Sequence, residues 1–304
     1  MDRIVIVTKP TRLQDLVRQH FTAGAARFAL ESREQSLDLY EAEDAAQRDA
    51  IAEIHRQIPN DLPVTSVTRE DLPAFLFRDK DFVIVCGPDG LFVNTAKYIT
   101  DQLVLTVNPD PRTVAGILML FPAQAVGEAI ASVRAGRQRL ERLPLIKATI
   151  DEDVVVWGVN DVFLGRRDQI SARYAISFGG RDERQSSSGI IVSSGVGATG
   201  WMRSIATMVA GLSGEHRHQL ASLPHASSSE AVFVVREPFP SPATGAEILT
   251  GRVRPGKPLA VVSEMPEGGC VFSDGIVEKA VEWPAGSRAI VSVGDRYVTR
   301  VVQS

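Results

Sequence analysis

The chain has 304 residues, of which 44% are hydrophobic and 23% are charged. A chain of this length usually exceeds what one hydrophobic core supports, so we expect two domains of an ordinary globular protein. The formal net charge is −4 and the lysines and arginines are dispersed, which argues against nucleic acid as the main partner.

Cysteine content and hydropathy indicate the compartment. The only cysteines, Cys86 and Cys270, lie in different contexts and predict neither a disulfide framework nor a cysteine metal site, which fits a reducing cytoplasm. Residues 1–7 carry an acid at once and only a short apolar run, unlike a signal or transit peptide. No stretch approaches the roughly 20 apolar residues that span a membrane. We therefore predict a cytoplasmic protein without a membrane partner.

The first half of the chain alternates between strand-like and helix-like segments. The apolar run Ile4–Val7 predicts a buried strand, and Arg12–Ile58, rich in Ala, Glu, Gln and Arg, predicts helix with a break near Gly24. Such alternation predicts a mostly parallel, doubly wound α/β domain. The other predicted elements are strands at Val64–Arg69, Phe82–Cys86 and Leu103–Val107 and helices at Leu72–Phe77 and Ala125–Leu140.

The pattern of apolar and turn-forming residues changes after Pro144. Short strand candidates separated by Gly, Pro, Ser and Asp predict a β-rich antiparallel C-terminal domain. We place the boundary near residues 141–146, with domains over 1–142 and 143–304, and leave open a return of the C-terminal segment to the first domain. The strand candidates are Ile146–Ile150, Asp153–Trp157, Asp161–Leu164, Arg173–Phe178, Gly189–Ser193, Glu230–Val235, Glu247–Leu249, Leu259–Val262 and Ala289–Val293.

A tight turn follows the predicted strand Phe82–Cys86. The turn, Cys86–Gly90, has Asp89 at its apex and leads into a helix-like segment. Turn amides and a helix start suit anions, and Asp89 is placed to accept a proton from a substrate hydroxyl. An ordinary Asp-Gly turn between two elements is the alternative. Because ligands of doubly wound sheets bind at the carboxyl ends of the strands, we expect Asp89 and Asn108 to share one crevice.

Two loops of the second half are candidates for ligand binding. Asn160 and Asp161 lie between strand candidates, where such a pair binds ribose hydroxyls, helps to hold a metal, or forms an Asx turn in a hairpin. Residues 188–201 predict a strand, a glycine-rich loop that lets the backbone approach a flat or anionic ligand, and a helix beginning near Trp201, which offers a stacking face. The loop lies outside an evident βαβ unit but formally matches the pattern G-x-G-x-x-G, at Gly195, Gly197 and Gly200.

The histidines give weaker signals. Glu215, His216 and His218 suggest a metal cluster, but an i, i+2 pair does not share a helix face, so we interpret them as a solvated loop. His225, which follows Pro224, is either a simple loop histidine or, as the family resemblance described below implies, a residue that reaches the ligand pocket, and both interpretations stay open.

Taken in order along the chain, these segments resemble the NAD kinase family, and its mitochondrial-type branch more closely than the common bacterial one. The resemblance extends from Val7 to the C-terminus. It is carried by Lys9–Arg12, Cys86–Leu91, Val107–Pro111, Val159–Val162, Ser171–Tyr174, Gln185–Trp201 and Asp274–Gly275, which are similar to the successive motifs of that branch.

The resemblance implies an NAD kinase-like fold, with a nucleotide-binding α/β domain and a β-rich dinucleotide-binding domain, and an activity. Family members transfer a phosphoryl group from ATP to the 2′-hydroxyl of the adenosine ribose of NAD. Asp89 would orient or deprotonate that hydroxyl, Mg²⁺ would accompany ATP without a carboxylate cage from the protein, and the protein would be a homodimer built through the β-rich domain. The implied nucleotide-binding residues are Gly87, Gly90, Leu91, Phe92, Asn108, Asn160, Asp161, Arg173, Ser188, Thr199, Gly200 and Trp201.

The sequence also departs from the family pattern. Pro88 replaces a glycine of the signature turn and so removes one backbone N–H, while Leu91, Val196 and Ala198 replace hydroxyl residues. Two alternatives therefore stay open beside an NAD kinase. One is a non-catalytic NAD- or nucleotide-binding protein, and the other is a related kinase that acts on another hydroxyl substrate.

Overall fold

A computed structural model describes residues 1–113, 116–214 and 223–303. The chain divides into two compact units. The first unit comprises Met1–Glu141 together with Val298–Ser304, and the second comprises Arg142–Tyr297. Among the described residues, no helix is both long enough and apolar enough to span a bilayer.

The first unit is an α/β fold around a parallel sheet. Its sheet has the order β2-β1-β3-β4, and every pairing in it is parallel. Since helices cover both faces of such sheets, their strands read as continuous apolar runs. The strands are β1 (Arg3–Thr8), β2 (Val64–Thr68), β3 (Asp81–Cys86), β4 (Leu103–Asn108) and β5 (Phe121–Pro122), and the helices are α1 (Arg12–His20), α2 (Ala23–Glu31), α3 (Asp38–Gln57), α4 (Asp89–Thr95) and α5 (Val126–Arg134).

The helix ends of the first unit follow local chemistry that differs from the predicted bounds. The chain breaks at Phe21, which adopts a left-handed φ of 66°, and Gly24 lies inside α2 instead of at a break. Helix α5 ends at Arg134 because Gly136 adopts a left-handed φ of 66° and the N–H of Arg137 bonds back to a carbonyl of the last turn. The predicted helix Ala125–Leu140 is therefore too long, and its last residues begin a strand.

The second unit is built of antiparallel strands with one helix. The strand order β13-β12-β11-β8-β15-β16 forms a six-stranded sheet, and β10, β9, β14 and the start of β17 are consecutive strands of the other sheet, in which β6 pairs with β17 and β7 pairs with β6. The elements are β6 (Arg139–Ile150), β7 (Val154–Gly158), β8 (Asp161–Arg166), β9 (Ala172–Phe178), β10 (Arg181–Ser187), β11 (Ile190–Ser193), α6 (Trp201–Ser213), β12 (Ala231–Val235), β13 (Thr250–Val253), β14 (Leu259–Ser263), β15 (Gly269–Ser273), β16 (Val281–Glu282) and β17 (Arg288–Val302).

Alternating side chains give the second unit two apolar layers. Val162 and Leu164 of β8 point into a core shared by strands of both sheets, whereas Phe163 points to the opposite face. There Phe163 packs with Met202 and Trp201 of α6. The predicted fold class, an α/β unit followed by a β-rich antiparallel unit, is confirmed.

The sequence-based strand assignments were incomplete in the second unit. Strand β10 reads Arg-Asp-Glu-Arg-Gln-Ser-Ser and has too little apolar alternation to be recognised, because it lies at the edge of its sheet. Strand β15 is absent from the predicted strands. The predicted strand Glu247–Leu249 is wrong, since pairing with β12 begins at Thr250.

An ion pair ties β1 to β3. The Arg3 guanidinium donates to both carboxylate oxygens of Asp81, from Nε at 2.9 Å and from Nη2 at 2.5 Å, and the backbone N–H of Arg78 donates at 2.8 Å. Burial by itself would raise the pKa of Asp81, but these hydrogen bonds outweigh burial and lower the pKa. The Asp81 side chain is only 1% exposed, so its charge depends on Arg3.

Arg3→Met should therefore destabilise the protein by about 3 kcal/mol, because it leaves a buried carboxylate with one donor. Arg134→Met is the matched control, since it breaks an exposed pair with Asp61 and should change stability little. Urea unfolding measures both. Because the folded pKa of Asp81 is lowered, the advantage over Arg3→Met should be present at neutral pH and lost as the pH falls through that pKa, below about 4. Equal losses in the two variants would contradict this account.

Candidate functional site

The first unit has a cavity at the carboxyl ends of β1 and β3. The crossover from β1 leads to β2 on one side, and β3 lies on the other side, so the strand order reverses between β1 and β3. Ligands of doubly wound sheets bind at such switch points. The cavity there has a volume of about 430 Å³, and its lining includes Lys9, Arg12, Glu43, Gly87, Pro88 and Asn108.

Asp89 is the first residue of α4 and is half-buried. Its Oδ1 accepts the N–H of Leu118 at 3.0 Å, and its Oδ2 accepts the N–H of Ile117 at 3.1 Å. The carboxylate therefore anchors the loop that follows β4. Each carboxylate oxygen has two lone pairs, so each retains acceptor capacity toward a further donor.

Asn108 organises the same loop. Its Oδ1 accepts the N–H of Asp110 at 3.0 Å, and the residue is 5% exposed. Gly116, which has a left-handed φ of 51°, lies so close that an added Cβ would be 2.5 Å from Nδ2 of Asn108. Much of the Asn108 amide is thus covered by the loop.

The other candidates in the signature turn differ in accessibility. Gly90 is exposed, but Leu91 and Phe92 are 1% and 0% exposed. An added Cβ at Gly87 would be 2.9 Å from Cδ2 of Leu91, which packs under the turn. Burial therefore excludes ligand contact with the side chains of Leu91 and Phe92.

Three turns meet at one end of the six-stranded sheet of the second unit. Strand β8 begins at Asp161, and its two neighbours are β11, in which Ser193 pairs with Asp161, and β15, in which Ser273 pairs with Val162. The ends of these strands therefore lie side by side. They bring together the β7–β8 turn with Asn160, the glycine-rich loop after Ser193, and the turn at Asp274.

Ser194 joins the glycine-rich loop to the β7–β8 turn. Its hydroxyl donates to the carbonyl of Val159 at 2.5 Å and accepts the N–H groups of Val196 and Gly197 at 3.1 and 3.2 Å. Its own N–H donates to the carbonyl of Asn160 at 2.8 Å. The sequence did not predict this role for Ser194; the signal available was a serine placed to cap the following turn.

Two of the three loop glycines contact protein backbone. An added Cβ at Gly197 would be 2.1 Å from the carbonyl oxygen of Asn160, and one at Gly195 would be 1.7 Å from that of His225. Both glycines are therefore required for close packing of the loop. Gly200 is exposed, and its nearest neighbour would be 3.6 Å away, so it alone leaves its surroundings open.

An unpaired acceptor and an aromatic ring accompany this loop. Oδ1 of Asn160 is buried and has no hydrogen-bond partner among the described residues. Trp201 is half-buried, lies parallel to the ring of Phe163 at a centroid distance of 6.1 Å, and has the guanidinium carbon of Arg236 5.4 Å from its ring centroid. Thr199, two residues before Trp201, is exposed.

Two predicted residues lie away from this cluster. Arg173 is exposed on β9, in the other sheet of the unit. Ser188 precedes β11, whereas Ser194 follows it, so the two are about 20 Å apart along the strand.

The histidine candidates add no metal site to the cluster. His225 is exposed, and its Nδ1 lies 3.0 Å from the hydroxyl of Ser227. Glu215, His216 and His218 lie outside the described residues. Within the described ranges, no group of three or more His, Cys, Asp or Glu side chains could hold a metal ion.

Comparison with known proteins identifies the architecture. The chain resembles the crystal structure of an NAD kinase from Archaeoglobus fulgidus in complex with ATP, at a TM-score of 0.58 and 16% identity over 98% of this chain and 92% of that one. It also resembles the yeast NADH kinase complexed with NADH, at a TM-score of 0.60 and 13% identity over 100% of this chain and 84% of that one. The fold is that of the NAD kinases. No family model and no curated protein matches the sequence.

Gly197→Ala should destabilise the protein by about 1–3 kcal/mol, because the new methyl group meets the Asn160 carbonyl and forces the loop from the turn. Gly211→Ala is the control in the same unit. Gly211 lies in α6 with open space around it, so alanine should stabilise the helix by up to about 1 kcal/mol. Chemical denaturation compares the two. A neutral Gly197→Ala would show that the close approach is not required.

Proposed function

We propose that this chain is an NAD kinase-like phosphotransferase that transfers a phosphoryl group from ATP to the 2′-hydroxyl of the adenosine ribose of NAD and so produces NADP. The observation that carries the proposal is the β7–β8 turn. Oδ1 of Asn160 is buried there and has no donor among the residues that the structure describes, on a fold shared with NAD kinases. A buried acceptor left unpaired costs free energy. Because Asn160 as a residue is only half-buried, a rotation of its side chain would bring Oδ1 to a ribose hydroxyl, which would supply the missing hydrogen bond.

The second unit would bind the dinucleotide. Asn160 and Asp161 would hold its ribose and diphosphate region, and the exposed Thr199 and Gly200 would frame its nicotinamide or adenine side. Trp201 would offer aromatic surface to a base, since its ring is only half-buried. The neighbouring NADH kinase is complexed with NADH, which supports a dinucleotide as the ligand.

The first unit would supply the groups for phosphoryl transfer. Asp89 would accept the proton of the ribose hydroxyl on a remaining lone pair, while the amides of Ile117 and Leu118 fix its orientation. The exposed Gly90 and the cavity beside Gly87 leave space for phosphate groups, and the related NAD kinase structure contains ATP. Phosphoryl transfer depends mainly on positioning and charge neutralisation, so few reacting protein groups are needed.

Magnesium would enter with ATP. When bound, Mg²⁺ neutralises charge on the transferring phosphate groups. The described residues contain no cluster of three metal-binding side chains, so the triphosphate oxygens would provide most of its ligands.

The resemblance in sequence supports three further parts of the proposal. They are membership of the mitochondrial-type branch, a homodimer built through the β-rich unit, and a cytoplasmic location. The last agrees with two free, buried cysteines.

A non-catalytic NAD-binding protein is the second candidate. Pro88 has no N–H to offer a phosphate, Leu91 is buried, and both oxygens of Asp89 already accept backbone amides. These features would preserve dinucleotide binding while reducing turnover. A kinase that acts on another hydroxyl compound would share the same first unit and differ in its acceptor.

Asp89→Asn should lower kcat for NADP formation at least about 100-fold with little change in the KM for NAD, because the amide cannot take a proton. The assay incubates purified protein with NAD, ATP and Mg²⁺ and follows NADP with an NADP-specific dehydrogenase.

Thr106→Val is the matched control for loss of loop anchoring. The Thr106 hydroxyl binds the same loop through the carbonyl of Leu118 and the N–H of Leu120 but does not contact Asp89. Equal losses in kcat for the two variants would contradict a proton-accepting role. A wild-type protein that binds NAD but forms no NADP would favour the non-catalytic candidate.

A further inference from the structure

We infer that Asp274 is a positioning residue for the dinucleotide: its carboxylate fixes the backbone of the β7–β8 turn so that Asn160 is presented to NAD. The inference rests on the proposed function and extends it to a residue more than 100 positions later in the sequence.

Three consecutive backbone N–H groups converge on the Asp274 carboxylate. Val159 donates to both oxygens at 3.1 Å, Asn160 donates to Oδ1 at 2.6 Å, and Asp161 donates to Oδ1 at 3.2 Å. The N–H of Asp274 returns a bond to the carbonyl of Asp161 at 3.0 Å. Successive amides that point to one centre form an anion-binding concavity, which is filled here by a carboxylate of the protein itself.

The turn is held on two sides by different partners. Asp274 accepts its N–H groups, and Ser194 donates to the carbonyls of Val159 and Asn160. Loss of Asp274 would leave only the carbonyl side restrained. The orientation of the turn would then vary, and with it the direction of the unpaired Oδ1 of Asn160.

The backbone at Asp274 makes a conservative test possible. Its φ of 53° is left-handed, a conformation that both Asp and Asn tolerate better than other side chains. Asp274→Asn therefore keeps the shape of the turn and one acceptor oxygen. It removes the negative charge on which the three N–H groups converge, and it replaces Oδ2 with an NH₂ group, a second donor that faces the N–H of Val159.

Asp151→Asn is the matched control. Asp151 also lies in a turn of the second unit with a left-handed φ, of 49°, and its carboxylate accepts the Ser287 hydroxyl at 2.5 Å and the N–H of Arg288 at 2.7 Å. Asp151 lies just before β7, whereas the β7–β8 turn follows β7. The length of β7 places the two turns about 17 Å apart.

The experiment measures the dissociation constant of NAD by calorimetry, the kcat and KM for NAD, and the melting temperature of each variant. Asp274→Asn should raise the dissociation constant and the KM at least about tenfold, with kcat at saturating NAD within about threefold of wild type. Asp151→Asn should lower the melting temperature to a similar extent and leave both NAD constants unchanged. Asp274→Ser, which retains one hydroxyl acceptor, gives a second variant if the first does not fold, and should also raise both NAD constants.

A double-mutant cycle tests whether Asp274 acts through the turn. In an Asn160→Ala background, Asp274→Asn should weaken NAD binding by less than about twofold, because the group that it positions is gone. Unchanged NAD constants in the single variant, or independent effects that multiply in the double variant, would overturn the inference alone. A wild-type protein that does not bind NAD would overturn the proposed function and the inference with it.

Discussion

The need to satisfy the backbone of one tight turn organises the second unit. A two-residue connection between β7 and β8 cannot bond all of its N–H and C=O groups within itself, and buried groups of this kind require partners. The turn obtains them from two distant segments, Asp274 on the amide side and Ser194 on the carbonyl side. The same bonds that satisfy the backbone also bring the glycine-rich loop and the end of β15 to Asn160.

The first unit uses the same chemistry in another arrangement. There, Asp89 accepts two amides of the loop after β4, and Asn108 is covered by Gly116 of that loop. A carboxylate that anchors backbone is well oriented, which favours a role in proton transfer. It is also partly committed to structure, so substitution at Asp89 affects the loop as well as the chemistry. This dual role explains why kinetic and structural effects must be separated at this position.

Sequence alone gives much of the fold, because the signals there are local. Continuous apolar runs identify β1, β3 and β4. The short strand candidates separated by turn residues after Pro144 identify an antiparallel unit. The failures occur where local patterns are weak or shared. Strand β10 is charged and lies at a sheet edge, and α5 ends two residues before Gly136, which the helical periodicity passes over.

The site is less predictable than the fold, since its contacts are long-range. The residue types of Asn160, Thr199 and Trp201 are visible as motifs, but the bond from Asp274 joins residues 113 to 115 positions apart. Glycine spacing is also ambiguous in sequence. The spacing of the loop glycines suggests approach to a ligand. In the structure, positions 195 and 197 require glycine because protein carbonyls lie against them.

The last strand, β17, pairs with a strand far earlier in the sequence. Thr299 and Arg300 of β17 pair in parallel with Leu103 and Val104 of β4, about 200 residues earlier in the chain, and the whole second unit lies between them. Closing so long a loop costs entropy and slows a folding reaction. Until it closes, part of the β4 edge exposes backbone groups that another chain can pair with. A chain in which this pairing has not formed would therefore leave part of the β4 edge open to pairing with another copy.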